Sequence, residues 1–178
     1  MRRLLSYLIL IPSILFGQAI VINPEFPTEN NPIEIIFDIT QMTGRAVNLV
    51  GYTGTLYAHT GVYTNLNSSS WQYVIESWGD NTTQPSLTRI GTDLYQLIID
   101  NPRAFYGITN TAEHIISINL VLRSADASKQ TEDLFVALYD DGFNIKLLDI
   151  ESIDFYPLPN QRIDITAVTN GADSLRVY

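Results

Sequence analysis

The sequence has 178 residues, of which 46% are hydrophobic and 16% are charged. This length fits one domain of ordinary size, and the apolar fraction is too high for a disordered chain. Nineteen acidic residues outnumber 10 basic ones and give a formal net charge of −9, which argues against nucleic acid or an anionic membrane surface as partner because both would repel the chain. The absence of cysteine excludes disulfides, thiolate metal sites and a cysteine nucleophile.

The amino terminus has the pattern of a secretory signal peptide. Met1–Arg3 is basic, Leu4–Phe16 is mostly apolar, and Gly17–Ala19 supplies small residues for cleavage. A transmembrane anchor is the alternative, but the apolar run is shorter than the ~20 residues that span a bilayer, and it contains Pro12. We therefore expect residues 1–19 to be a signal peptide and the protein to be secreted, periplasmic or on the cell surface, without membrane insertion.

Short blocks in which apolar and polar residues alternate predict β-strands along the rest of the chain. After an extended segment with three prolines, the clearest block is Ile33–Thr40. The other predicted strands are Thr55–His59, Trp71–Glu76, Leu87–Ile90, Leu94–Ile99, Ile115–Arg123 and Asp133–Tyr139. Helical periodicity over three turns is absent from the sequence, although a short helical turn is expected at Pro102–Tyr106 or Thr109–His114.

Turn-forming residues such as Gly79–Asn81 and Asp140–Gly142 separate these blocks. About seven short strands with regular turn signals predict an all-β fold, specifically an antiparallel immunoglobulin-like β-sandwich. The residues expected to face its core include Ile33, Ile35, Phe37, Ile39, Leu97, Ile99, Ile116, Ile118, Leu120, Phe135 and Ala137.

The last part of the chain has a different organisation. Its predicted elements are a final strand or connector, a proline boundary and two alternating strands: Asn144–Asp149, Pro157 with Pro159, Arg162–Val168 and Ser174–Tyr178. Two strands do not bury a core by themselves, so we interpret residues 150–178 as the truncated start of a second immunoglobulin-like domain. Residues 20–149 are then the β-sandwich module of a longer protein.

Catalysis is poorly supported by the residues present. A nucleophile needs a base such as His beside it, and the sequence has two histidines, His59 and His114, and no G-x-S-x-G elbow. Acidic residues cluster at turns, where solvated charge is the ordinary explanation. A Ca²⁺ site from Asp126, Glu132 and Asp133 is an alternative, but the spacing matches no EF-hand loop. We therefore predict no catalytic residue, no metal site and no cofactor.

The stretch Gly51–Asn81 contains both Trp residues and four of the Tyr residues. Alternation places Tyr57 and His59 on one face of their strand and Leu56 and Ala58 on the opposite face. The second pair is expected to face the core, so the aromatic pair is expected to face away from it.

Sugar binding needs flat rings that stack on pyranose faces and polar groups that fix hydroxyls. The residues of this stretch with that chemistry are Tyr57, His59, Trp71, Gln72, Trp78 and Asn81. We predict a ligand site formed by Tyr57, His59, Trp71, Trp78 and Asn81. Burial of the Trp side chains in the core is the alternative, because β-sandwiches commonly bury a Trp.

Motifs spread over residues 20–143 are together similar to a known module. They are F-P-T-E-N-N-P-I-E-I-I-F-D (26–38), G-T-L-Y-A-H-T-G-V (54–62), W-Q-Y-V (71–74), W-G-D-N (78–81), L-T-R-I (87–90), L-Y-Q-L-I-I (94–99), R-A-F-Y-G-I (103–108) and L-V-L-R-S-A-D-A-S-K (120–129). They resemble the amino-terminal β-sandwich module of secreted bacterial α-amylase-like proteins. Where related chains often have D-G-S, this chain has Asp126-Ala127-Ser128, which leaves no glycine for a tight turn.

L-Y-A-H-T-G followed by two spaced Trp is also similar to starch-binding modules, in which an aromatic pair stacks on α-glucan. The resemblance implies an immunoglobulin-like sandwich joined to further domains, among them a glycoside hydrolase or sorting domain. The expected partner is a polysaccharide or oligosaccharide of the α-glucan class, and the expected function is that of a non-catalytic carbohydrate-binding module. The alternatives are a structural immunoglobulin-like spacer or cell-surface adhesion module without sugar affinity and, with less support, a catalytic fragment. Exposure of the aromatic side chains discriminates between the first two.

Overall fold

The computed structural model describes residues 18–147 and 167–171. In these ranges the strands are β1 (Ile20–Asn23), β2 (Ile33–Asp38), β3 (Leu56–Thr64), β4 (Thr88–Gly91), β5 (Leu94–Ile99), β6 (Ile115–Ser124), β7 (Leu134–Ala137), β8 (Asn144–Leu147) and β9 (Ala167–Asn170). The helical elements are α1 (Pro102–Phe105) and two 3-10 helices, Ile39–Gln41 and Gly44–Leu49. The predicted all-β class is therefore confirmed. Within the described ranges, no helix has the length and apolar character needed to cross a membrane.

The strands pair antiparallel in three sheets. The strand orders are β1-β2-β5-β4, β3-β6-β7 and β8-β9. The first two sheets share one buried apolar cluster, which includes Ile33, Ile35, Phe37, Leu97 and Ile99 from the first and Leu56, Ala58, Val62, Ile118, Leu120 and Leu122 from the second. Burying one such large side chain contributes about 1.5–3 kcal/mol. The architecture is therefore a β-sandwich-like pair of sheets around a common core.

Most of the predicted core positions are confirmed. Strand β2 alternates strictly between buried and half-buried residues, and its buried residues pair with buried residues of β5, as Ile35 does with Leu97. The confirmed inward residues are Ile33, Ile35, Phe37, Ile39, Leu97, Ile99, Ile118 and Leu120. Period-two alternation was a reliable guide in β2 and β5 because both strands run without interruption.

The prediction for Ile116 is wrong, because this side chain is 41% exposed. The pairing of β3 with β6 contains an irregularity between Tyr63 and Thr64, and Thr64 then pairs with Ile115. Such a bulge adds one residue to the alternation and reverses which face the following side chains take. Ile115 is buried in place of Ile116.

Phe135 and Ala137 were also predicted to face inward, and both are exposed. In the register of β7 with β6, Val136 lies opposite Ile118, and Phe135 lies opposite Asn119. Since Ile118 faces the core, Val136 does so as well, and its two neighbours face outward. Because all four residues of β7 are apolar, the sequence pattern does not show which of them face the core.

The predicted strand Trp71–Glu76 is wrong, since this segment has one isolated bridge, between Gln72 and Val62. Tyr73 has φ 50°, which interrupts an extended conformation. Strand β1 was not predicted, because its four residues directly follow the apolar leader. Of the two segments named for a short helical turn, Pro102–Tyr106 contains a helix, at Pro102–Phe105, and Thr109–His114 does not. Asn101 caps this helix by accepting a hydrogen bond from Ala104 N at 2.8 Å.

The Asp126–Ser128 turn is tight although it lacks glycine. Ala127 adopts φ 56°, a left-handed conformation that costs an L-residue about 1–2 kcal/mol. Asp126 Oδ1 stabilises the turn by accepting hydrogen bonds from Ser124 Oγ at 2.6 Å and Ser128 N at 3.1 Å. The pKa of Asp126 is lowered to about 2, first by the hydrogen bond from Ser124 and then by those from Ser128.

In the described part of the tail, β8 pairs with β9 in a two-stranded sheet. These strands come from the two sides of the predicted domain boundary at residue 150, and the division into domains remains a prediction. The predicted proline boundary, the strand Ser174–Tyr178 and residues 1–17 of the predicted signal peptide lie outside the described residues.

Candidate functional site

Strand β3 presents two of the predicted site residues on the outer face of the three-stranded sheet. Leu56 and Ala58 are fully buried in the core, and the alternating Tyr57 and His59 are half-buried on the opposite face. On the neighbouring strand β6, Arg123 lies opposite Tyr57. The outer face therefore begins with a Tyr, a His and an Arg side by side.

The segment 72–87 covers the free edge of β3. Backbone hydrogen bonds join Val62 to Gln72 in both directions at 2.9 and 2.8 Å, and Ala58 N donates to Pro85 O at 2.9 Å. Ile75 N donates to Thr60 O at 3.0 Å between them. These bonds satisfy an edge that would otherwise be open to pairing with another chain. Between Ile75 and Pro85, residues 76–84 form a loop that we call the cover loop.

Three aromatic side chains meet on this face, with His59 at the centre. Its ring is stacked on Trp71, with centroids 5.8 Å apart and an interplanar angle of 23°. Trp78, from the cover loop, meets it edge to face at 5.0 Å and 80°. Trp78 keeps 47% of its surface exposed, and Trp71 is half-buried. The two Trp side chains thus lie outside the core. Together with Tyr57 and His59 they form a partly exposed surface that we call the aromatic patch.

Arg123 is completely buried beneath this patch. Its guanidinium carbon lies 5.5 Å from the centroid of the Tyr57 ring and 5.7 Å from that of Trp78, within the range of cation–π attraction. Its nitrogens donate to Ser124 O, Asp80 O, Asn81 Oδ1 and Gln84 Oε1 at 2.7–3.1 Å. These acceptors are all uncharged oxygens, and among the described residues Arg123 has no salt bridge. It joins the cover loop to the sheet.

Gln84 links Arg123 to His59. Its Oε1 accepts from Arg123 at 2.8 Å, and its Nε2 lies 3.0 Å from Ser77 O and 2.9 Å from His59 Nδ1. The pKa of His59 is lowered by burial and, second, by the positive charge of Arg123. Both effects favour the uncharged form of the ring at the centre of the patch.

The structure brings together all five predicted site residues, but Asn81 is occupied by structural contacts. Its Oδ1 accepts from Arg123 at 2.7 Å, and its Nδ2 donates to Ala125 O at 2.9 Å. Gln72 is turned toward the backbone and side chain of Ser70. The groups that remain available for a ligand on this patch are therefore the rings, and the polar residues mostly support them.

Sequence reasoning missed Arg123 and Gln84. One signal was available for Arg123, since Leu120 was assigned to the inner face, and alternation then places residue 123 on the outer face beside Tyr57. No comparable signal existed for Gln84, because it lies in a loop whose path depends on hydrogen bonds to β3.

A second cluster of charged side chains lies at the opposite end of β6, around Glu29. Arg103 Nη1 is 3.1 Å from both carboxylate oxygens of Glu29, and His114 Nδ1 is 2.9 Å from Oε1. Ile115 N donates to Oε2 at 2.8 Å. Burial raises the pKa of Glu29, but the hydrogen bonds from Ile115, His114 and Arg103 outweigh it and lower the pKa. Beside this cluster is a pocket of about 170 Å³ that includes Tyr139 and Asp141.

The alternative Ca²⁺ site is not assembled in the described part of the chain. Asp126 is engaged in its own turn, and Glu132 lies 3.4 Å from Arg45 Nε. Among the described residues, no group of three or more His, Asp or Glu side chains is arranged to hold a metal ion.

No known protein-family model matches this sequence, and no curated protein is similar enough to be recognised as a relative. The resemblance to α-amylase-associated modules therefore rests on the sequence motifs alone and remains a prediction.

Proposed function

We propose that this chain is a non-catalytic carbohydrate-binding module with an immunoglobulin-like β-sandwich, which holds a secreted glycoside hydrolase-type protein on an α-glucan. The observation that carries the proposal is the aromatic patch of Tyr57, His59, Trp71 and Trp78 on the outer face of the three-stranded sheet. Rings of this kind stack on the apolar faces of pyranoses. Two Trp side chains that lie outside the core and both pack against His59 favour a binding surface over a purely structural use.

The charge distribution agrees with a neutral ligand. The chain has a formal net charge of −9, and Glu76 and Asp80 lie on the cover loop beside the patch. Such a surface repels polyanions and leaves neutral polysaccharides as ligands. The choice of an α-glucan among them comes from the resemblance to starch-binding modules.

A specific observation favours a second candidate, an immunoglobulin-like spacer or adhesion module without sugar affinity. Arg123 lies near the rings of both Tyr57 and Trp78, so these rings already have a structural partner. In that case the patch would serve to hold the cover loop, and its exposed part would have no ligand.

The proposal is tested by measuring the binding of maltoheptaose to the full chain with isothermal titration calorimetry. A shallow site with two or three rings is expected to give a dissociation constant between about 10 µM and 1 mM, or roughly −7 to −4 kcal/mol. Trp78→Ala is expected to abolish detectable binding while changing the thermal midpoint by only a few degrees, since an exposed ring contributes little to the core.

The matched control is Phe143→Ala, which removes an aromatic ring that is 57% exposed and lies outside the patch. This variant is expected to bind as the unmodified chain does. If the unmodified chain is not retained on starch, glycogen or maltoheptaose at millimolar ligand, the α-glucan proposal is wrong and the spacer function remains. Equal loss of affinity in both variants would also contradict a site at Trp78.

A further inference from the structure

The hydrogen-bonding capacity of Arg123 determines the orientation of the Gln84 side chain. An arginine donates hydrogen bonds and accepts none, so the Gln84 atom 2.8 Å from Arg123 Nη2 must be the carbonyl oxygen. Ser77 O accepts hydrogen bonds and donates none, so the Gln84 atom 3.0 Å from it must be the amide nitrogen. Two independent neighbours therefore exclude the flipped amide, which is the usual ambiguity of a Gln side chain.

The orientation of Gln84 in turn determines where His59 carries its proton. Both hydrogens of the Gln84 amide are used, one toward Ser77 O and one toward His59 Nδ1 at 2.9 Å. Nδ1 must accept this bond and is therefore unprotonated. A neutral imidazole carries its proton on one of its two nitrogens, so the proton of His59 is on Nε2.

The Nε2–H group of His59 takes no part in the contacts with Gln84. Among the described residues it has no hydrogen-bond partner, and it is not one of the two fully buried side-chain polar atoms that lack a partner, which are Asn119 Nδ2 and Arg123 Nε. The ring itself is half-buried, between Trp71 and Trp78. The aromatic patch thus carries one polar hydrogen of fixed direction at its centre.

We infer that Arg123 and Gln84 are positioning residues that hold His59 as the neutral Nε2–H tautomer, so that His59 donates a hydrogen bond to a ligand hydroxyl from between the two Trp rings. The ligand part of this inference rests on the proposed carbohydrate binding, and the tautomer does not. A ligand with an acceptor oxygen beside its stacked ring, as sugar hydroxyls and ring oxygens provide, fits this arrangement. A purely apolar ligand would leave the Nε2–H group without a partner, which costs free energy.

The test is long-range ¹H–¹⁵N NMR of the histidine rings in the full chain at pH 8.5, well above the ordinary histidine pKa of about 6.5. For His59 we expect a protonated Nε2 and an unprotonated Nδ1. Gln84→Glu replaces the amide donor by a carboxylate acceptor and keeps a partner for Arg123. In this variant we expect the proton on Nδ1. Gln41→Glu, which adds the same charge at an exposed position outside the patch, is expected to leave the His59 spectrum unchanged.

A protonated Nδ1 in the unmodified chain would overturn the inference, and so would an unchanged His59 spectrum in Gln84→Glu.

The affinity for maltoheptaose, measured at the same pH, is the second test. We expect it to fall about tenfold or more in Gln84→Glu, because the donor at Nε2 becomes an acceptor facing the ligand oxygen. Equal affinity in both proteins would show that His59 does not contact the ligand. The expected spectra without any binding would reject the carbohydrate function and leave the tautomer assignment intact.

Discussion

Two arginine–histidine clusters lie at the two ends of strand β6, and they are built around different partners. At one end, Arg103 and His114 both contact the carboxylate of Glu29. At the other end, Arg123 and His59 both contact the amide of Gln84. A carboxylate accepts from both residues and requires the histidine to donate from the contacting nitrogen. An amide accepts from the arginine and donates to the histidine, so it keeps the contacting nitrogen unprotonated.

The comparison shows that the shared partner, a carboxylate or an amide, determines whether the contacting histidine nitrogen donates or accepts a hydrogen bond. Burial of the arginine does not determine it. Charge is compensated in the Glu29 cluster, which suits a purely structural contact near the surface. In the Gln84 cluster the hydrogen bonds of a fully buried Arg123 go to neutral oxygens, and its guanidinium lies near aromatic rings. The Asp80 carboxylate attracts this charge without forming a salt bridge with it. That arrangement leaves an uncharged ring on the aromatic patch, where a neutral ligand is proposed to bind.

The largest expected effect comes from removing the buried guanidinium with Arg123→Met. Buried acceptors of the cover loop, above all Gln84 Oε1, lose their donor, and we expect a loss of about 3 kcal/mol in the free energy of unfolding. Urea denaturation at pH 7 measures it. The control Arg89→Met, on the exposed strand β4, should change stability by less than about 0.5 kcal/mol. A similarly small change for Arg123→Met would mean that the cluster does not hold the loop.

Glu29→Gln removes the charge from the other cluster and should cost about 2 kcal/mol at pH 7, the typical value for hydrogen bonds to a charged group. The folded-state pKa of Glu29 is below its ordinary value of 4.5, so this stability is present above pH 4.5 and is lost as the pH falls through the folded pKa. Urea denaturation at pH 7 and pH 3 should show a difference between the two proteins that shrinks in acid. Glu132→Gln, in an exposed ion pair with Arg45, is the control and should change stability by less than about 1 kcal/mol. A difference that is as large at pH 3 as at pH 7 would contradict the assignment.

Gln84→Glu makes the Arg123 cluster resemble the Glu29 cluster. Because the desolvation cost of a buried ion pair offsets most of its attraction, we expect a change of less than about 1 kcal/mol at pH 7. The variant should nevertheless lose stability on acidification to pH 4 more steeply than the unmodified chain. Urea denaturation at several pH values measures this. If the stability of the two proteins fell in parallel with pH, the carboxylate introduced at position 84 would not be stabilised by Arg123 and His59 in the folded state.

The smallest effect concerns the titration of His59 itself. Its folded-state pKa lies below the ordinary value of 6.5, mainly because of burial. As the pH falls, the unfolded chain takes up this proton first, so the contribution to stability is present above pH 6.5 and declines as the pH drops toward the folded pKa. NMR titration of the His59 ring should give a midpoint below 6.5, and a midpoint above it would contradict the neutral state. In Gln84→Glu the midpoint should be higher than in the unmodified chain.

The strands were predictable where side chains alternate cleanly, and the errors have local causes. Strand β2 was found because Ile33, Ile35 and Phe37 alternate with less buried residues. Ile116 was misassigned because a bulge in the pairing of β3 with β6 shifts the phase by one residue. Phe135 was misassigned because its neighbours are apolar on both faces, so only the register with β6 determines which side chain enters the core.

The residue types and strand alternation were enough to select the aromatic patch. Tyr57 and His59 were placed on the outer face by the burial of Leu56 and Ala58 alone. Trp71 and Trp78 were selected by their chemistry, without knowledge of where the chain after β3 would place them. The sequence by itself therefore determined the all-β class, most of the core face and the membership of the patch, because these depend on local periodicity and side-chain type.

Tertiary structure alone decided how the patch is held together. Arg123 and Gln84 are 39 residues apart, and the contact exists because residues 72–87 follow the free edge of β3 and return the cover loop to the sheet. The proton position on His59, the burial of Arg123 and the occupation of Asn81 all depend on that path. The residue type fixes how many hydrogen bonds a side chain can donate or accept. It does not fix the partner when that partner lies in a distant segment, and no periodic pattern along the chain reveals which donor will meet which acceptor.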